Sequence, residues 1–200
     1  MSGAIAHVVD DDAAIRDSLE WLLKSRGVAV RSWVSGEAFL DGLSATPRGC
    51  VILDIRMEGM SGIEVFDQLL ARGFGLPVIF LTGHGEVQMA VGALKRGAFD
   101  FVEKPFNDNQ LVDRVLEALR RDEVVHHERE TEASVAARLA RLSPREREVM
   151  DRVLAGEANK AIADALDIAV RTVEAHRARV FEKMEVHSAV ELARLVGRRS

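Results

Sequence analysis

One cysteine, Cys50, stands in the 200 residues. No intramolecular disulfide forms from a single thiol, and the paired-cysteine spacing of a zinc site is missing. A lone thiol of this kind is expected in a core. Apolar runs near the ~20 residues of a bilayer span are missing too, and residues 1–10 carry neither the basic nor the long apolar segment of a signal peptide. These absences exclude a disulfide-stapled secreted domain, a membrane span and a membrane partner, and they point to a soluble, cytoplasmic protein. What the chain does hold is 48% hydrophobic and 30% charged residues, which excludes disorder and suffices for one large domain or two small ones.

The net charge of −5 is unevenly spread, with 12 Lys or Arg against 17 Asp or Glu in residues 1–120, 4 against 5 in 121–141 and 11 against 10 in 142–200. The acidity belongs to the first part. A near-neutral C-terminal part still binds nucleic acid if its cations share one face. Residues 1–120 read as five strand-then-helix units: β-branched apolar runs begin at Ile5, Val28, Cys50, Val78 and Asp100. Between them Ile15, Leu19, Leu22 and Leu23 repeat at helical spacing, as do Val87, Ala90, Val91 and Leu94, and Leu111, Val115 and Leu119. Ser61 and Glu64 form a capping box for the third helix, and Gly97 suits the end of the fourth. This alternation predicts an α/β fold, a parallel sheet covered on both faces. Residues 121–141 lack Gly and Pro and read as a polar, mostly helical connector in which His126 and His127 are solvated. Ser143, Pro144 and Glu146 then start a helix that stops at Gly156, followed by helices near 159–166, 170–184 and 188–196, a small all-α domain.

In open parallel sheets function sits beyond the carboxyl ends of the strands. There the first strand ends in Asp10, Asp11 and Asp12, the third in Asp54, the fourth in Thr82, and the fifth runs into Lys104 and Pro105. Clustered carboxylates repel one another, and a hard cation such as Mg²⁺ removes that cost while leaving room for phosphoryl oxygens. Lys104 and Thr82 are placed to meet the remaining oxygens, so the rim suits phosphoryl transfer onto a carboxylate. Each Asp alone serves equally well as a helix N-cap, the role that fits Asp12 best.

The stretches VVDDD (8–12), LDIRMEGMSG (53–62), FLTGHGE (80–86) and FDFVEKPF (99–106) resemble the receiver domain of two-component response regulators over about 120 residues. The resemblance implies a flavodoxin-like five-stranded parallel sheet in the order 2-1-3-4-5, the order known for this family rather than one read from these residues. It implies Asp54 as phosphoacceptor, Mg²⁺ or Mn²⁺ on Asp11, Asp54 and the Arg56 carbonyl with Asp10 acting through water, Thr82 sensing the phosphoryl group and Lys104 binding it. It further implies a cis Lys104–Pro105 peptide and Phe101 as an aromatic switch coupled to Thr82, although a lone strand Phe is ordinarily core. His84 stands where it would influence water access. One departure is Glu58, where the family commonly has Pro; its carboxylate adds an anion beside the acceptor, which bears on loop geometry and on phosphorylation rate.

From 170 to 184 the apolar stripe is Val173, Val180 and Met184, with Phe181 beside it. The opposite face carries Arg171, Glu174, Ala175 and Ala178, flanked by Thr172, His176 and Arg179. Small residues at the centre and cations at the margins suit entry into a major groove, although an ordinary surface helix has the same charge pattern. Residues 142–196 resemble the LuxR-type helix-turn-helix through Asn159, Lys160, Ile162, Ala163, Thr172, Val173, His176, Lys183 and Met184. Both parts together resemble response regulators of the FixJ/NarL class, the receiver motifs being nearer the FixJ side. The resemblance makes 170–184 the recognition helix, Lys160 and Thr172 phosphate contacts, Arg171, Glu174, Ala175 and Ala178 the base-reading face, and His176 partly structural, while the flanking Arg179 meets phosphate by the charge pattern alone. Ala169 replaces the usual Ser or Thr cap, and Glu174 a frequent Lys.

The division that follows is a receiver over 1–120, a helical linker over 121–141 and a DNA-binding domain over 142–200. Its implied partners are a sensor histidine kinase, double-stranded promoter DNA, a second copy on phosphorylation and RNA polymerase. An aspartyl-phosphate phosphohydrolase competes with this reading, but such enzymes need a general acid two residues after the nucleophile, and that place holds Arg56. A phosphorylation-independent DNA-binding protein competes too, but its mark, loss of Asp11, Asp54 or Lys104, is absent.

Overall fold

Alternation of side chains along each strand determines where the two cores of the first unit lie. In the computed structural model, which describes residues 4–83 and 87–197, β1 (Ile5–Val9), β2 (Val30–Trp33), β3 (Gly49–Asp54), β4 (Val78–Thr82) and β5 (Asp100–Glu103) form one sheet. Its order is β2-β1-β3-β4-β5 and every pairing is parallel. On β3, Val51 and Leu53 face a cluster with Phe39 and Leu40 of α2 (Gly36–Asp41), Phe66 and Leu69 of α3 (Gly62–Ala71) and Ala90 and Ala93 of α4 (Val87–Lys95). Cys50 and Ile52 face the other cluster, with Leu19, Leu22 and Leu23 of α1 (Ala13–Ser25) and Leu111 and Val115 of α5 (Asp108–Ala140). Both sheet faces are thus covered, which is why the strands read apolar throughout. Cys50 is fully buried and free, and burial pushes its thiol well above the ordinary range.

Helix starts follow the capping chemistry. Asp12 caps α1, its carboxylate accepting from the Ala14 N–H at 2.8 Å. Ser61 caps α3 with Glu64 reaching back to its N–H, and Ser143 and Glu146 do the same for α6 (Pro144–Leu154). The second strand is shorter than the apolar run from Val28 suggests, beginning at Val30, because Val28 closes the turn after α1 through its N–H to Leu23. Residues 121–140 continue α5 without a break, and the chain divides into two compact units, Met1–His126 and His127–Ser200, within that helix. The second unit holds α6, α7 (Asn159–Leu166), α8 (Val170–Met184) and α9 (Ala189–Gly197) around Val149, Ile162, Val173, Val180, Met184 and Leu192. Among the described residues no helix is long and apolar enough to cross a membrane.

Candidate functional site

Strand ends bring the acidic residues together. Asp10, just past β1, and Asp54, the last residue of β3, are buried, whereas Asp11 is exposed. One carboxylate oxygen of each lies within 4.8 Å of the others. The Lys104 ammonium, just past β5, donates to Asp54 Oδ1 at 2.7 Å and to Asp10 Oδ2 at 3.1 Å. Burial opposes the charge on Lys104, but hydrogen bonding and attraction to Asp54 and Asp10 outweigh it, so the amine holds its proton above the ordinary lysine range. Asp10 is fixed further by the Asp12 N–H on its Oδ1 and by Arg16 on its carbonyl. Three carboxylates against one ammonium leave the site short of positive charge. All the side-chain donors are hard oxygens, and an octahedral Mg²⁺ spans about 4.2 Å between opposite ligands, so the residues fit such an ion.

Thr82 ends β4 with its hydroxyl buried and without a hydrogen-bond partner among the described residues. An unpaired buried hydroxyl costs free energy unless some state of the site uses it. Its carbonyl accepts the Lys104 N–H at 2.7 Å, and the Lys104–Pro105 peptide is cis. Phe101, on the edge strand β5 opposite Phe80, is half-buried against the Phe66 and Phe80 side of the core. His84 lies outside the described residues.

The loop between β3 and α3 carries Arg56, which is exposed, and Glu58. Gly62 closes this loop with its N–H on the Ile55 carbonyl at 3.0 Å. A Cβ there would sit 2.1 Å from the Asp54 carbonyl oxygen, so only glycine permits the approach. The Met60 N–H binds Glu37 Oε1 at 2.9 Å, and the Glu58 N–H binds Asp11 Oδ2 at 2.8 Å. Sequence reasoning missed both tethers. Glu37 carries no pattern that marks it as a partner of a loop more than twenty residues away, and a backbone donor leaves no trace in a side-chain pattern.

On α8, Val173, Val180 and Met184 are buried, while Arg171, Thr172, Glu174, Ala175, Ala178 and Arg179 are exposed, as is Lys160 on α7. The residues named as a DNA face therefore share the outer side of one helix and its neighbour. Ala169 caps α8 without a side-chain hydrogen bond. His176 is half-buried, its Nδ1 buried without a hydrogen-bond partner among the described residues. Contacts that the sequence did not reveal hold the helix in place. Arg177 donates to Asn159 Oδ1 at 2.7 Å, Lys183 to Glu146 Oε2 at 2.6 Å, and Arg138 of α5 to the Met184 carbonyl at 3.0 Å. The Lys183 contact, together with Ser143, holds the Glu146 carboxyl down at about 2.

Comparisons with known proteins bear on the fold and the family. Residues 6–116 match the response regulator receiver domain, and residues 140–196 match bacterial regulatory proteins of the luxR family. The chain is 53% identical over 191 residues to the C4-dicarboxylate transport transcriptional regulatory protein DctR of Rhodobacter capsulatus, covering 94% of this chain and 97% of that protein. It is 46% identical over 192 residues to the transcriptional regulatory protein FixJ of Bradyrhizobium diazoefficiens, covering 96% and 94%. Among solved structures, the response regulator StyR superposes with a TM-score of 0.92 at 37% identity, over 98% of this chain and all of that one. Full-length FixJ from B. japonicum gives 0.61 at 45% identity, over 99% and 98%.

Proposed function

Because the chain belongs to the response regulators that join a receiver domain to a LuxR-family DNA-binding domain, we propose that Asp54 accepts a phosphoryl group from a sensor histidine kinase and thereby controls binding to promoter DNA. The family consists of transcription regulators of two-component systems, not enzymes, so the transfer is a switch rather than turnover. One observation carries the assignment of Asp54: the Lys104 ammonium lies 2.7 Å from its Oδ1 and 3.1 Å from Asp10 Oδ2. An Asp54 oxygen attacks phosphorus, and the O–P bond forms as the bond from phosphorus to the kinase imidazole nitrogen breaks, its electron pair staying on nitrogen. Lys104 neutralises a phosphoryl oxygen, and the Thr82 hydroxyl donates to another. Asp11, Asp54 and the Arg56 carbonyl, with Asp10 in support, would hold Mg²⁺ or Mn²⁺, which supplies positive charge to the phosphoryl oxygens.

The working division is a receiver over 1–120, a helical linker over 121–141 and a DNA-binding domain over 142–200. Movement of Thr82 toward the phosphoryl group frees space for the half-buried Phe101 to turn into, which changes the surface around Val91, Lys95 and Arg96. Two chains pair through that surface, and each places α8 in a half-site, with Lys160, Thr172 and Arg179 at phosphates and Arg171, Glu174, Ala175 and Ala178 toward bases. The pair acts in the cytoplasm, where RNA polymerase is its further partner at the promoter.

Intact-mass spectrometry after incubation with acetyl phosphate tests the assignment. A phosphoryl adduct is expected in the wild type with Mg²⁺ or Mn²⁺, and none with a chelator or in Asp54→Asn. An adduct of equal yield in Asp54→Asn places the chemistry on another residue.

A further inference from the structure

We propose that the backbone N–H of Glu58 is a positioning donor for Asp11, joining two separate parts of the cation site by one hydrogen bond. The inference rests on the reading of the acidic cluster given above. Asp11 is exposed, at the end of β1, and an exposed carboxylate turns freely unless something holds it. Here the Glu58 N–H, 47 residues further along, holds its Oδ2 at 2.8 Å and leaves Oδ1 for a cation. The donor is itself held. Gly62 binds the Ile55 carbonyl, Met60 binds Glu37, and Ser61 binds Glu64 at 2.9 Å, so the backbone on both sides of Glu58 has one arrangement. Gly59 takes φ +77 beside Glu37, and a Cβ there would lie 2.9 Å from Glu37 Oε1, so the close approach also depends on this glycine.

Arg56, whose carbonyl is the other candidate ligand on this loop, stands two residues before Glu58. The bond that orients Asp11 thus also sets how far Asp11 lies from that carbonyl. The Glu58 side chain is exposed, and its charge acts on the site only through solvent and salt. Any residue except proline supplies the same N–H, so the bond is particular to this chain and is missing from relatives that carry the family's common proline at this position. Groups that hydrogen-bond a metal-binding carboxylate typically contribute 10–100-fold to metal affinity. Glu58 is therefore a positioning residue through its backbone, independently of its carboxylate.

The test is Mn²⁺ binding to the full-length chain, read from the electron paramagnetic resonance signal of free Mn²⁺, for wild type, Glu58→Ala and Glu58→Pro at low and high salt. Glu58→Ala is expected to bind within about threefold of wild type, with the difference shrinking at high salt. Glu58→Pro is expected to bind about tenfold more weakly at both. Equal affinities for the two variants overturn the positioning role, and a wild type that takes up no Mn²⁺ overturns the reading of the cluster itself. Thermal melts by circular dichroism establish whether Glu58→Pro folds. If it does not, amide hydrogen exchange of the metal-free wild type decides: slow exchange at Glu58 supports the bond, and exchange as fast as an open amide overturns it.

Discussion

Trp33 donates its indole N–H to His7 Nδ1 at 3.1 Å inside the first unit, with Phe39 against both rings. Burial disfavours the imidazolium, with the nearby Arg31 adding to the effect, so the His7 pKa falls from 6.5 to about 4. Because the unfolded chain binds this proton at higher pH than the fold does, the contribution of His7 is full above about pH 6.5 and is lost as pH falls toward 4. The loss amounts to roughly 3 kcal/mol. The urea midpoint of wild type should therefore drop more between about pH 7 and about pH 4.5 than that of His7→Leu, which lacks the titration. Equal drops would mean that His7 is not held neutral. At this scale the sequence was most legible in placing Asp10, Asp54, Thr82 and Lys104 at strand ends, where the structure also has them. It was least legible at Glu58. There the carboxylate drew attention, while the contact is made by an N–H that the residue type does not specify.

Among the elements, α8 has the same bounds in sequence and structure because its apolar stripe and its Ala face repeat at one period. The α5 helix shows the opposite. Residues 121–134 are largely polar, and only Val135 and Leu139 near its end pack on a core, so composition gave a polar, mostly helical connector but not its fusion with the preceding helix into 33 residues. Nothing in residues 121–140 breaks a helix once it has started, and propagation needs only one hydrogen bond per residue fixed. On the function proposed above, the face of α8 and its neighbour α7 divides into positions that meet phosphates and positions that meet bases. Lys160→Ala is expected to weaken binding to all duplexes alike and to lower the salt slope by ~1, because one counterion fewer is released. Glu174→Ala is expected to change the preferred sequence, since a carboxylate accepts from cytosine N4. In vitro selection with both variants separates the roles. An unchanged motif for Glu174→Ala removes it from the readers, and a changed motif for Lys160→Ala makes that lysine one of them.

For the whole molecule the account is that one acyl phosphate at Asp54 decides whether two chains occupy two half-sites together. Holding both half-sites adds affinity that a single chain lacks, provided that the spacing is about one DNA turn. Moving an equilibrium from 1:99 to 99:1 takes about 5.5 kcal/mol of differential binding, within reach of charge-assisted hydrogen bonds from Lys104 and Thr82 together with attraction to a bound cation. Met89 and Val91 of α4 are exposed apolar residues, and Arg96 just beyond it pairs with Asp67 at 2.5 Å, so the face assigned to pairing has both apolar and charged groups available to rearrange. Sedimentation velocity with a fluorescent duplex recovered by in vitro selection, with and without beryllofluoride and Mg²⁺, reads chain pairing and DNA binding in one experiment. The account predicts that beryllofluoride brings two wild-type chains onto each duplex and leaves Asp54→Asn unmoved. Two chains on the duplex without beryllofluoride, or an equal response from Asp54→Asn, would contradict it.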